Sequence, residues 1–239
     1  MKNIIQLGDL EIEVTRKAIK NVHLSVHPPD GRVSISAPLN TRLEVVRAYA
    51  ISKLAWIRLQ QDKLVKQPRE KQRQYINRES HYLWGRRYLL NVVLTNGKQH
   101  VTIDHKRIYL FVRPRSNREK REEVFYEWQK ELLHEFVAGT IEKWQPILRI
   151  KVSAYFLQKM KTKWGSCNHN SRTIRLNTEL VKKPKDLVEY VIVHEMAHIV
   201  VPNHSQRFKN IVEKHFPNWQ ELRLELNDLP LGHTNWKDL

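Results

Sequence analysis

Tyr190-Val191-Ile192-Val193-His194-Glu195-Met196-Ala197-His198-Ile199-Val200-Val201 is the stretch on which the reading of this chain turns. Apolar residues flank an H-E-x-x-H pattern on both sides, the make-up of a buried helix with one polar stripe. On a helix, residues i and i+4 lie one turn apart on the same face. His194 and His198 could therefore grip one Zn²⁺ at about 2.0–2.1 Å each. Glu195 would then stand beside the ion, placed to take a proton from metal-activated water. Two helix histidines and a surface glutamate with no metal would spell the same letters, so the context has to decide.

The context begins at Val201-Pro202-Asn203-His204. Pro202 has no backbone N–H, and it biases Val201 away from helical geometry, so the helix is predicted to end here. The chain then turns and delivers His204 as a third ligand. Three protein ligands leave the fourth corner of a tetrahedron to water, the pattern of a catalytic rather than a structural zinc. Glu213 is the rival third ligand, a carboxylate from the following helix; the proline break favours His204. Ser205 is the expected N-cap of that following helix, whose apolar positions recur at helical spacing through Val212.

Upstream, Lys163 to Cys167 and Thr173 to Asn177 read as strand and turn just before the metal helix. A sheet edge in that position can hold an extended substrate by main-chain pairing. Five residues there are the expected substrate contacts: Lys163, Trp164, Gly165, Ser166 and Asn177. Lys163 would set a cation near a developing anion. Trp164 either stacks on a base, packs a peptide side chain or fills core. Gly165 permits close backbone approach. Asn177 is either a site residue or a satisfied strand-end side chain. Cys167 has three readings: a fourth ligand closing the site, a nucleophile, or the favoured one, a small buried residue. His81, His134, His169, His215 and His233 show no spacing that completes a second metal site.

The run Lys163-Trp164-Gly165-Ser166-Cys167, then Ile174-Arg175-Leu176-Asn177, Tyr190 to His198, Asn203-His204-Ser205 and Phe208 resembles the YgjP-like family of zinc metallohydrolases. That family is similar to the WLM and SprT-type metallopeptidases. The resemblance covers most of the chain, with its sharp motifs between about residues 150 and 217. It implies His194, His198 and His204 as metal ligands and Glu195 as catalytic base. Family members often carry arginine where this chain has Lys163. The substrates the family implies are of two kinds, peptides and nucleoside triphosphates such as UTP.

Composition sets outer limits. The 239 residues suffice for one large or two small domains with a real core. No apolar run approaches the ~20 residues of a membrane span, and the start is not a secretory signal. One cysteine excludes an internal disulfide and suits a reducing, cytoplasmic setting. No glycine-rich phosphate loop is present. The formal charge of +17 draws polyanions, so nucleic acid joins the candidate partners; solubility alone is the simpler account. Arg113, Arg115, Arg118, Lys120 and Arg121 form one dense basic run, and Lys66, Arg69, Lys71 and Arg73 another. Such runs are more often solvated surface than binding tracks.

Strands are predicted at Leu10–Val14, Val22–Val26 and Val33–Ser36, the last two joined by a Pro28-Pro29-Asp30-Gly31 turn. A long helix runs from an N-cap at Thr41 to about Lys63. Gln67 to Ser80 is a polar linker or loop. Tyr88–Leu94 and His100–Ile103 flank Asn96-Gly97, a hairpin signal, and Arg107–Val112 completes a meander. A helix follows from about Asn117 to Lys143, then strands at Lys151–Phe156 and Thr173–Leu176, and the metal helix from about Lys185 to Val200. The expected class is α+β: residues 1–80 a β-hairpin and long helix, 81–145 a β-meander plus helix, and 146–239 a zincin-like catalytic region whose metal helix packs on a small sheet. The expected activity is zinc-dependent hydrolysis of metallopeptidase type, with another divalent ion able to replace zinc. UTP pyrophosphohydrolysis on the same site, or a protease-like module on nucleic acid, are the alternatives.

Overall fold

The computed structural model describes residues 2–27, 31–66, 72–160 and 163–228. The expected turn at Pro28 to Asp30, Arg69 and Lys71 of the second basic run, and His233 lie outside the described residues. The protein is α+β and divides into two compact units, one of residues up to 69 and one of residues 70–233.

The first unit is a four-stranded sheet covered by two helices. Its strands are β1 (Lys2–Leu7), β2 (Leu10–Lys17), β3 (His23–His27) and β4 (Arg32–Pro38), in the order β1-β2-β4-β3. Period-2 alternation sends Leu10, Ile12 and Val14 of β2 and Val33, Ile35 and Ala37 of β4 to the buried face. β1 is not among the strands that alternation predicts. It joins β2 by a two-residue turn in which Gly8 takes φ +63°, and Leu7 pairs with Leu10 across it. The single long helix expected here is two helices, α1 (Leu43–Ser52) and α2 (Leu54–Lys66). Lys53 leaves helical geometry between them, its N–H bonding Ala50 O and Ile51 O. The N-cap is Arg42 rather than Thr41, with no side-chain cap bond. The break lets Val46 and Ala50 of α1 and Ile57 of α2 reach one core, while Val45 and Trp56 stay exposed.

The second unit holds a sheet of the same topology: β5 (Ser80–Leu83), β6 (Arg86–Leu94), β7 (His100–Ile103) and β8 (Arg107–Val112), ordered β5-β6-β8-β7. In both sheets the second and fourth strands run parallel and the outer pairs antiparallel. The expected β6–β7 hairpin is therefore overturned. β8 inserts between them because Ile108, Leu110 and Val112 are all fully buried and need cover on both edges, whereas β7 buries only Val101. Gly97 is not among the positive-φ glycines, so the Asn-Gly turn does not form. The hairpins of this sheet are β7–β8 and β5–β6, the latter turning at Leu83-Trp84-Gly85-Arg86 with both central residues at positive φ.

α3 (Arg118–Leu148) starts at Asn117, whose side chain accepts the Lys120 N–H at 2.9 Å, as helix N-caps do. It extends past the expected end and packs on β7, β8 and the metal helix alike. The boundary expected at residue 145 falls inside it, which is why residues 81–145 and 146–233 form one unit. Beyond α3 lie β9 (Ala154–Gln158), β10 (Gly165–Asn168), β11 (Thr173–Asn177), a 3₁₀ turn (Thr178–Lys182), α4 (Lys185–Ala197), α5 (Gln206–His215) and α6 (Trp219–Asp228). The small sheet has the order β10-β11-β9, so β10 is an edge strand. α4 packs on β10, β11, α5 and α6, and its buried Leu187, Val188, Ile192, Val193 and Met196 fill the core they share.

Candidate metal centre

α4 ends at Ala197, three residues earlier than expected, and His198 is its C-cap. Val200 N and Val201 N both bond Ala197 O, closing the last turn before Pro202. The helix still keeps i and i+4 together: the His194 and His198 ring centroids are 5.0 Å apart. The chain past Pro202 returns His204 to within 5.2 Å of the His194 ring and 4.6 Å of the His198 ring. One nitrogen from each of the three lies within 4.8 Å of the others, the single such grouping of three among the described residues. His204 Nε2 and His194 Nε2 are 3.2 Å apart. Two nitrogens on a tetrahedral zinc with bonds of about 2.0–2.1 Å stand about 3.3–3.4 Å apart. The pair is already at ligand spacing.

The protonation chemistry of the donors also suits a cation. Val201 O only accepts, so His198 Nδ1, 3.1 Å from it, carries the hydrogen and Nε2 keeps a free lone pair. Burial, then the nearby His198 and His204 imidazoles and Arg223, push His194 down to about 3. Burial likewise lowers His198, against the pull of its bond to Val201 O. Neutral imidazoles are what a divalent ion requires. Phe208 on α5 locks the arrangement. Its ring stacks on His198 at 4.4 Å and meets His194 and His204 edge-on at 4.9 and 4.8 Å.

Glu195 faces β10 and is only 7% exposed. Burial raises its carboxyl to about 7, and the charge of Lys163 opposes the rise, as a cation on the histidines would. Gly165 explains how the carboxylate fits. A Cβ there would stand 2.7 Å from Glu195 Cγ and 2.8 Å from Oε1. The close approach expected of Gly165 is thus to the Glu195 side chain.

These groups share a cleft of about 430 Å³, lined also by Lys163, Trp164, Ser166, Cys167, His169 and, from α6, Arg223 and Leu226. Four of the five expected substrate contacts border it. Asn177 does not. It is 3% exposed, donates from Nδ2 to Met160 O and Lys163 O at 2.9 Å each, and accepts at Oδ1 from Glu179 N and Met160 N. Every hydrogen-bonding position is used, so it is the satisfied strand-end residue that ties Met160 and Lys163 to β11. Trp164 both lines the cleft and packs on the core, with Lys183 Nζ 5.1 Å from its ring centre. Cys167 stays outside the histidine group, and burial, reinforced by the Glu195 charge, raises its thiol to about 11, away from nucleophile or ligand chemistry. Glu213, the rival ligand, is exposed and also outside the group. Ser205 is the N-cap of α5 as expected, without a side-chain cap bond.

Sequence reading missed α6 and with it Arg223. Trp219, Leu222 and Leu226 are spaced i, i+3, i+7 and could have revealed the helix. Which wall Arg223 would occupy depends on how α6 docks, and no local pattern encodes that.

Three histidines converging beside a buried carboxylate, in a cleft bounded by a sheet edge, are the equipment of a metal-dependent hydrolase. The chain belongs to the YgjP-like family, whose metallopeptidase domain matches residues 20–229. It is also similar to two solved metallopeptidase zymogens. Abylysin of Pyrococcus abyssi is 23% identical, with a TM-score of 0.36 over 38% of this chain and 90% of that one. Jannalysin of Methanocaldococcus jannaschii is 25% identical, with a TM-score of 0.34 over 38% and 92%. No functionally curated protein matches the chain. Among the described residues no helix is long and apolar enough to cross a membrane.

Proposed function

We propose that this protein is a zinc-dependent hydrolase of peptidase type, in which His194, His198 and His204 hold the metal and Glu195 is the general base. The observation that carries this reading is the placement of edge strand β10 beside the histidine group, with Glu195 packed between them. A bound zinc would supply Lewis acidity to a substrate oxygen and bring the pKa of a water down to about 7. The chain's own residues do the rest. The edge of β10 that is unpaired among the described residues offers backbone groups to an extended peptide, which aligns its scissile bond along the cleft. Glu195 takes the proton of the attacking water and returns it to the leaving amine, a task suited to a buried carboxyl packed between β10 and the histidine group. Lys163, exposed at the cleft wall, faces the negative charge that develops on oxygen.

Metal analysis of the purified protein tests the ligands, and turnover of a peptide library tests the base. His194→Ala should lose the metal, and Glu195→Gln should keep it while losing activity by about 10²–10⁴-fold. Equal metal in wild type and His194→Ala contradicts the ligand assignment. Other divalent ions, assayed side by side, rank zinc against its competitors.

Cleavage of UTP on the same site is the second reading, favoured by the cationic lining from Lys163 and Arg223 and by Trp164 as a stacking surface. UMP release without peptide release decides for it. Nucleic-acid association is supported only by the +17 charge. The dense basic run at the start of α3 is partly neutralised, since Arg118 pairs with Glu119 and Glu122, and Lys120 with Glu123. Salt-sensitive retention on DNA is its test. The lone cysteine, half-buried and protonated, fits a cytoplasmic enzyme.

A further inference from the structure

A second pocket of about 230 Å³ opens beside the histidine group, between α5 and α6. It shares His194, His204 and Arg223 with the cleft, so whatever fills it sits next to the metal position. Its apolar surfaces are Phe208, Val212 and Trp219. The first two are core residues held rigid by packing. Two cations, Lys209 and Arg223, also line it, and among the described residues no carboxylate does. Neither cation has an ion-pair or side-chain hydrogen-bond partner among the described residues, though α6 also carries Glu221 and Glu225. Apolar surface with two unneutralised cations is complementary to a group with an apolar body and an anionic end. The volume is below the ~300–1,000 Å³ of ligand-sized sites, which is room for one residue and not a run of them.

We propose that this pocket is the subsite for the C-terminal residue of a peptide, its side chain on Phe208, Val212 and Trp219 and its free carboxylate on Arg223 and Lys209. The catalytic consequence rests on the hydrolase reading above: the enzyme releases residues from free C-termini. Water adds across the last peptide bond; its hydroxyl joins the acyl carbon and its proton the departing amino acid. Lys209 and Arg223 are exposed at the pocket rim, so a peptide continuing beyond that residue would put a neutral amide beside them and forgo the charge-assisted bonds that a free carboxylate makes. Specificity for the terminus follows from that mismatch.

The test separates the subsite from the chemistry. Full-length protein, freed of metal by a chelator, is titrated calorimetrically with N-acetyl-L-phenylalanine and with its amide. Metal coordination cannot contribute in this arm. The acid should bind about tenfold more tightly than the amide, as expected of a charge-assisted bond. The gap should collapse in Arg223→Gln, shrink in Lys209→Gln, and persist in part in Arg223→Lys. Equal binding of acid and amide, or an undiminished gap in the Arg223→Gln, Lys209→Gln double variant, overturns the proposal. So does UMP showing the Arg223 dependence in place of the acyl amino acid. In the second arm, zinc-loaded protein is given one peptide with a free and with an amidated C-terminus, and the free form should have about tenfold higher kcat/KM. Cleavage of neither, with the binding gap intact, refutes the hydrolase reading and leaves the subsite standing.

Discussion

Gly165→Ala is the sharpest probe of how this site is assembled. The new Cβ would lie 2.7 Å from Glu195 Cγ, 2.8 Å from Oε1 and 2.9 Å from Cδ. Carbon atoms sit best about 3.5–4.0 Å apart, so roughly 1 Å must be found. Glu195 is 7% exposed and has little space to retreat. Either its side chain leaves its rotamer, or β10 moves off α4 and takes Lys163 and Trp164 with it. Overpacking of this kind costs about 1–3 kcal/mol of stability. A shift of about 1 Å in a catalytic group costs on the order of 10²-fold in rate. The ligand histidines are not among the atoms the new methyl meets, so metal content should stay at the wild-type level. Gly139→Ala is the control. It sits in α3 with nothing within 4 Å of its would-be Cβ. Removing a helix-interior glycine should raise stability, by up to about 1 kcal/mol. Urea unfolding, metal analysis and peptide turnover on the two variants decide the matter. Wild-type stability and turnover in Gly165→Ala would refute the packing argument; loss of metal together with activity would refute its assignment to Glu195.

Asn177→Ala removes four hydrogen bonds and strands the Met160 and Lys163 carbonyls. Stability should fall by at least about 2 kcal/mol, and an unchanged urea midpoint would show that Met160 and Lys163 are held by something else. Phe208→Ala empties the space that all three histidine rings pack against. We expect a loss of about 3–5 kcal/mol, and zinc affinity lower by about 10–100-fold in a competitive chelator titration. His81 is 5% exposed, bonded to Glu79 at 3.0 Å, and burial holds its ring below the usual range despite that carboxylate. A lowered pKa means that the unfolded chain binds a proton the folded state refuses. The contribution is therefore complete above about pH 6.5 and is lost as pH falls, by at most about 1.4 kcal/mol per unit. Urea midpoints of wild type should drop more steeply than those of His81→Gln between about pH 7.5 and pH 5, and parallel curves would remove His81 from the account.

Local pattern and tertiary pattern can be told apart in particular elements. The strand alternation of Leu10-Glu11-Ile12-Glu13-Val14 was legible because one face is buried and the other wet. The β6–β7 hairpin was misread because Asn96-Gly97 is a local signal, while the choice of central strand depends on which residues the rest of the unit covers. The helix break at Lys53 has no glycine or proline to mark it. Thr41 looked like a better cap than Arg42, yet packing of Val46 and Ala50 set the start.

At the site, the chain determined by itself that two imidazoles would share a helix face and that a proline would end the run, because helical periodicity and the missing proline N–H act over a few residues. Only the folded arrangement decided that His204 returns to 3.2 Å from His194, that Asn177 turns away to bond Met160 and Lys163, and that Arg223 borders the cleft. Those placements come from α4, α5 and α6 burying one shared core. Such packing is a property of surfaces distant in sequence, which no spacing of residues along one segment can express.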